Sequence, residues 1–172
     1  MMKLEEISAH IEIRQVLATY SRGVDRWDAD LLKSVYHPDA IDKHTVFNGT
    51  GWDFADFIVN WCRQNGGVSQ HHLTNIYIEL HGDAANVETY YIAYHELRDA
   101  GSGNDTLLNT GGRYLDRFER RNGVWKIADR LCTIDWSRGN LPGEPWPGAA
   151  EFPKIGPKGA DPMYLLFERG AR

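Results

Sequence analysis

The hydrophobic period of this 172-residue chain switches once, at Gly66-Gly67. Before that point apolar residues recur at helical spacing, and after it they alternate. Ile76, Ile78 and Leu80 alternate up to a Gly82-Asp83 turn. Residues 85 to 97, 107 to 120 and 124 to 136 continue as strand-like runs, the first two separated by a polar loop, Asp99 to Asp105. Asn122-Gly123 joins the last two and is the strongest hairpin signal, because both central residues of such a turn need positive φ. Four long strands in succession form an antiparallel meander, which must curl and bury one face.

The cover for that face lies upstream. Leu4, Ile7, Ile11, Val16, Leu17, Tyr20 and Val24 predict an amphipathic helix over 4–24, with Glu5 and Glu6 in its first turn. Asp28 caps a short second helix running to Tyr36, and Pro38 stops it. Residues 40–47 predict a short strand ended by Asn48-Gly49. Asp53 caps a third helix, whose Phe54, Phe57, Ile58, Trp61 and Cys62 form a core-facing stripe. The expected fold is α+β: a cone-shaped, curved antiparallel or mixed sheet wrapped around three N-terminal helices, enclosing a cavity. Residues 1–136 form this domain. Residues 137–172 carry six of the seven prolines and read as a Pro/Gly-rich arm whose apolar Met163–Phe167 patch needs a docking site.

Composition narrows the function classes. A formal net charge of −5, with no basic run beyond the interrupted Arg117–Arg121, argues against nucleic acid. No apolar stretch approaches the roughly 20 residues of a membrane helix, and the N-terminus has no signal-peptide core. A cytoplasmic location is expected, with Cys62 and Cys132 as reduced, buried thiols. Six Trp, eight Tyr and six Phe supply rings for a core and for a pocket suited to apolar or aromatic ligands.

Three polar positions stand out. Asp25 follows the first helix, as either a solvated helix-end acid paired with Arg22 or Arg26, or a site carboxylate. His71-His72 opens the first long strand, so only one of the pair can face a cavity, where it could serve as a general base. Arg130 lies mid-strand, as either a cross-strand partner of an acid or a stabiliser of a leaving anion. Gly111-Gly112 predicts a bulge just before Tyr114, a core residue or a hydrogen-bond donor to substrate. Asp42, His44 and His95 are further polar pocket candidates. No tight ligand spacing assembles His44, His71 and His95 into a zinc or iron site, and neither a phosphate-cradling loop nor a nucleophile elbow is present.

Gly23-Val24-Asp25-Arg26, His71-His72-Leu73-Thr74-Asn75, Gly111-Gly112-Arg113-Tyr114 and Arg120–Lys126 together resemble the SnoaL-like family of the nuclear transport factor 2-like superfamily, over residues 5 to 136. Within it the likeness is to the hexachlorocyclohexane dehydrochlorinases, and more distantly to the scytalone dehydratases. The resemblance implies a catalytic aspartate at Asp25, a histidine base at His71 and an anion-assisting arginine at Arg130. It also implies no cofactor or metal, a small-molecule substrate, and a homo-oligomer, trimer or dimer. The expectation is a lyase acting on a small, largely apolar cyclic or aromatic compound. Tyr114, Tyr20, Trp27, Trp61, His44 and His95 contact that compound, and the C-terminal arm acts as a lid. The scaffold also hosts isomerases, aldol-type cyclases and noncatalytic dioxygenase subunits, so fold does not fix function. Arg22, Trp27 and the long arm depart from the family pattern, and no chlorinated substrate is carried over.

Overall fold

The computed structural model describes residues 2–44, 46–98 and 106–139. The loop expected over Asp99–Asp105 and the proline-rich arm from residue 140 onward, with its apolar patch, lie outside the described residues. The elements are α1 (Leu4–Asp25), α2 (Ala29–Ser34), β1 (Tyr36–His44), β2 (Phe47–Thr50), α3 (Gly51–Asn65), β3 (Gly66–His81), β4 (Ala84–Leu97), β5 (Thr106–Arg121) and β6 (Val124–Arg138). The strands make one curved, open sheet in the order β2-β1-β6-β5-β4-β3. The meander β3–β6 is antiparallel, and β1 adds to β6 in parallel, so the sheet is mixed. Among the described residues no helix is long and apolar enough to cross a membrane.

Local chemistry explains each boundary. Glu6 accepts the Lys3 backbone N–H at 2.7 Å and closes the start of α1. Asp28 caps α2 by accepting the Leu31 N–H at 3.1 Å. The N-cap of α3 is Thr50 rather than Asp53. The Asp53 N–H donates to Thr50 Oγ1, and the Thr50 hydroxyl returns a bond to the Asp53 carboxylate. Asn48-Gly49 does not end a strand but lies within β2, where Asn48 pairs with Lys43. Pro38 does not follow a helix either, since α2 ends at Ser34 and Pro38 sits inside β1. The register with β6 slips between Tyr36 and Ile41, so the missing proline N–H falls where the ladder is interrupted.

The last hairpin turns with φ of 53° at Asn122 and 80° at Gly123, the two positive angles that the dipeptide predicts. The register of β5 against β6 shifts at Gly111/Gly112. A Cβ on Gly112 would lie 2.0 Å from the Thr133 carbonyl oxygen, so the bulge closes only around glycine.

Ile13, Leu17, Tyr20, Leu32, Tyr36, Phe54, Phe118 and Ile127 are fully buried between α1–α3 and the concave sheet face. On α3, Phe54 and Cys62 reach this core, whereas Phe57, Ile58 and Trp61 stay half-buried. All five border a cavity.

Candidate active site

Asp25 is the last residue of α1, a position where the helix dipole disfavours a negative charge. Three donors offset that cost. Asp25 accepts His71 Nδ1–H at 2.7 Å, the His71 backbone N–H at 3.0 Å and the Ser69 hydroxyl at 3.2 Å. Ser69 and His71 are two apart on β3, so both point inward, while the exposed His72 points out and packs edge-on against Tyr94. Nδ1 is committed to the carboxylate, which leaves Nε2 as the nitrogen available to the cavity. The His71 side chain is 8 % exposed. The structure thus brings Asp25 and His71 together, and adds Ser69, which the sequence reading did not single out. Strand parity with His71 was the signal for it.

The cavity that His71 borders has a volume of about 300 Å³, within the range of small-molecule sites. Its lining is mostly apolar. Val24, Phe54, Phe57, Ile58 and Trp61 come from the helices, and Ala93, Leu108 and Ile134 from the sheet. Of the residues expected to contact substrate, Tyr20, Trp61, Tyr114, His44 and His95 all line it. Trp27 does not. It lies in the turn after α1, left-handed with φ of 55°, and packs against the core instead. Burial pushes the phenols of Tyr20, Tyr91 and Tyr114 upward, so they stay protonated and can donate.

Arg130 also lies apart from the cavity lining. Of its two readings, cross-strand partner of an acid or stabiliser of a leaving anion, the structure shows the pairing, with the guanidinium one layer beneath the cavity lining. Arg130 is 0 % exposed, with Nε and Nη2 each 2.7 Å from an Asp116 oxygen. Its guanidinium carbon sits 4.1 Å and 4.2 Å from the ring centres of Tyr20 and Tyr114, which screen it from the cavity. Asp116 is its partner across β5, and Asp42 faces it across β1. Burial works against the Arg130 charge, but Asp116 outweighs it and holds the guanidinium firmly protonated. Nη1 is buried without a hydrogen-bond partner among the described residues.

A second carboxylate–imidazole pair borders the same cavity. Asp42 is completely buried and accepts the Tyr36 hydroxyl at 2.6 Å through one oxygen. Its other oxygen accepts His44 Nδ1–H. The His44 ring stacks on Phe54 at 4.2 Å, and its Nε2 lies 3.4 Å from the Tyr20 hydroxyl. Burial disfavours imidazolium here, but the Asp42 carboxylate and the nearby Cys132 sulfur prevail and raise His44 to about 9. His95 goes the other way. Burial, then the nearby His71, lowers it to about 4, against an opposing pull from Asp25. Its ring meets His71 edge-on at 5.2 Å. Although His44, His71 and His95 share one cavity, among the described residues no three His, Cys, Asp or Glu side chains converge in a metal-binding group.

Comparison with known proteins places the fold and the family. A profile of the SnoaL-like domain matches residues 5–131. Rv2910c, an uncharacterised protein of Mycobacterium tuberculosis, is 31% identical over 136 residues, covering 77% of this chain and 90% of its own. Among solved structures, the hexachlorocyclohexane dehydrochlorinase LinA-type3 from Novosphingobium barchaimii superposes with a TM-score of 0.72 at 21% identity, covering 84% of this chain and 98% of that one. A Novosphingobium aromaticivorans protein provisionally assigned as a scytalone dehydratase superposes with a TM-score of 0.66 at 21% identity, covering 89% and 95%. At such identities the likeness carries the nuclear transport factor 2-like fold, and the profile match over most of the chain shows the family: the protein belongs to the SnoaL-like family.

Proposed function

We infer that this protein is an enzyme that removes a proton from a small, largely apolar cyclic or aromatic compound and expels a leaving group from the adjacent carbon. The observation that carries this reading is the Asp25–His71 pair at 2.7 Å on the wall of a 300 Å³ apolar cavity. Asp25 fixes the tautomer that leaves Nε2 unprotonated and stabilises the imidazolium formed when Nε2 accepts a proton. The phenols of Tyr20 and Tyr114 donate hydrogen bonds to a substrate oxygen, and Trp61 and Phe57 flank the ring. Arg130 acts through those two rings rather than by touching substrate. The likeness of the fold to a dehydrochlorinase, and to a protein assigned as a dehydratase, supports elimination as the reaction class. Isomerisation is the alternative use of the same base.

A panel of cyclic ketones bearing a β-hydroxyl or β-chloride, followed by NMR in D2O, tests the reading. Wild-type protein should convert at least one member to the unsaturated ketone. His71→Ala and Asp25→Asn should each slow it about 10²- to 10⁴-fold, with circular dichroism unchanged. Undiminished turnover in either variant refutes the dyad. A product of unchanged mass replaces elimination with isomerisation.

A further inference from the structure

The Asp42–His44 pair has no part in the proton abstraction proposed above, yet it is built to the same plan. β1 and β3 lie toward opposite ends of the sheet, separated by β6, β5 and β4. The curvature of the sheet brings His44 from one and His71 from the other to a single cavity. Each imidazole gives Nδ1–H to a buried carboxylate; His71 keeps Nε2 for the cavity, and His44 Nε2 lies at the cavity wall 3.4 Å from the Tyr20 hydroxyl. We propose that His44, oriented by Asp42, is a general acid that protonates the leaving oxygen, so that the enzyme dehydrates a small cyclic β-hydroxy carbonyl compound. This rests on the reading of Asp25–His71 as the base.

Charge balance supports the role. The groups facing His44 are Asp42 and Tyr36 from β1, Tyr20 from α1, Tyr114 and Asp116 from β5, and Arg130 and Cys132 from β6. Burial keeps the phenols neutral. That leaves two buried acids, Asp42 and Asp116, around one guanidinium, which holds Asp116 by two 2.7 Å hydrogen bonds against the burial that raises it. Buried charge is tolerated when matched, and an imidazolium at His44 supplies the second positive charge. The same ring is held above its ordinary titration range, so its proton is present at neutral pH. His71 faces no such surplus of carboxylate. Its neighbour His95 is neutral, and Asp25 is shared with two other donors.

The step balances with groups already present. His71 Nε2 takes the proton α to the carbonyl, and its electron pair becomes the carbon–carbon double bond. The β-carbon–oxygen bond breaks, and His44 Nε2–H delivers its proton to the departing oxygen, which leaves as water. His71 ends protonated and His44 neutral, and one proton returned through solvent resets both. A chloride leaving group needs no proton, so the acid discriminates between leaving groups on one skeleton.

That difference is the test. A cyclic β-hydroxy ketone and its β-chloro counterpart are turned over by wild type, His44→Phe and His71→Ala. His44→Phe keeps the aromatic stack on Phe54. It should lose at least about 100-fold more on the hydroxy ketone than on the chloride, with the acidic limb of the pH–rate profile retained and the basic limb gone. Equal losses on both substrates, or no loss on either, overturn the proposal. Undiminished turnover in His71→Ala would instead remove the base on which it rests. Independently of turnover, the wild-type His44 ring, followed by NMR, should be protonated at pH 7 and become neutral there in Asp42→Asn. A neutral wild-type ring at pH 7 overturns the acid role.

Discussion

Replacing Arg130 with methionine should destabilise the protein more than most single changes. The guanidinium is 0 % exposed and holds both Asp116 oxygens at 2.7 Å. Removing one member of such a pair strands a buried charge, at a cost of roughly 3–5 kcal/mol. The loss of two ring contacts near 4 Å pushes toward the upper end, although methionine retains the packing of the stem and a sulfur contact with the rings. At this chain length about 2–4 °C of Tm accompanies each kcal/mol, so the melting point should fall by roughly 6–20 °C. The deficit should depend on pH. Burial already holds the Asp116 carboxyl above its ordinary value against the pull of Arg130, and removing Arg130 raises it further. Its contribution is then complete only below about pH 4 and is lost as pH rises, so the variant should compare best with wild type in acid. Arg130→Met combined with Asp116→Leu leaves Asp42 still bonded to Tyr36 and His44, and should recover most of the loss. Thermal melts of the three proteins from pH 4 to 8 decide it. A single variant melting within about 2 °C of wild type, or a double variant no better than the single, would refute the ladder of buried charge described here.

Two glycines separate strain from collision. Gly112→Ala meets the Thr133 carbonyl at 2.0 Å and should cost about 3 kcal/mol, the upper end for overpacking. Gly123→Ala has open space, so only its φ of 80° opposes it and the loss should be roughly 1–2 kcal/mol. Urea midpoints that rank the two in the opposite order would contradict this. Stability should also fall away from pH 6.5 in both directions. His95, lowered to about 4, withdraws stability as pH drops from 6.5 toward 4. His44, raised to about 9, contributes stability that is complete below about 6.5 and lost as pH rises toward 9. Each limb is on the order of 3 kcal/mol. His95→Leu should flatten the acid limb and His44→Phe the alkaline one, and midpoint-versus-pH curves parallel to wild type would show that neither ring titrates as described.

Local features of the fold were legible because their causes are local. The Asn122-Gly123 turn and the Gly111-Gly112 bulge each depend on a few adjacent residues, and each was read in place. Pro38 misled because a proline ends a helix and interrupts a ladder equally well, and only the slip between β1 and β6 tells which. Arg130 shows the deeper limit. Parity along β6 says that it shares a face with Cys132, but not how far from the cavity mouth it lies or which acid meets it. Those depend on the stagger of β5 and β1 against β6, which the bulges at Gly111/Gly112 and near Pro38 adjust. One residue of slip would set Asp116 on the other face.

The two carboxylate–imidazole pairs make the same point from the chemistry. Asp25-to-His71 spans 46 residues and Asp42-to-His44 spans two. The short pair is the simpler to form, since alternate residues on a strand point the same way. What distinguishes them is the company each keeps. Asp25 divides its oxygens among three donors, whereas Asp42 sits beside a second buried carboxylate and one guanidinium. An excess of buried negative charge suits an acid that starts loaded. The acid role proposed for His44 therefore depends on Asp116 and Arg130, neither of which lines the cavity.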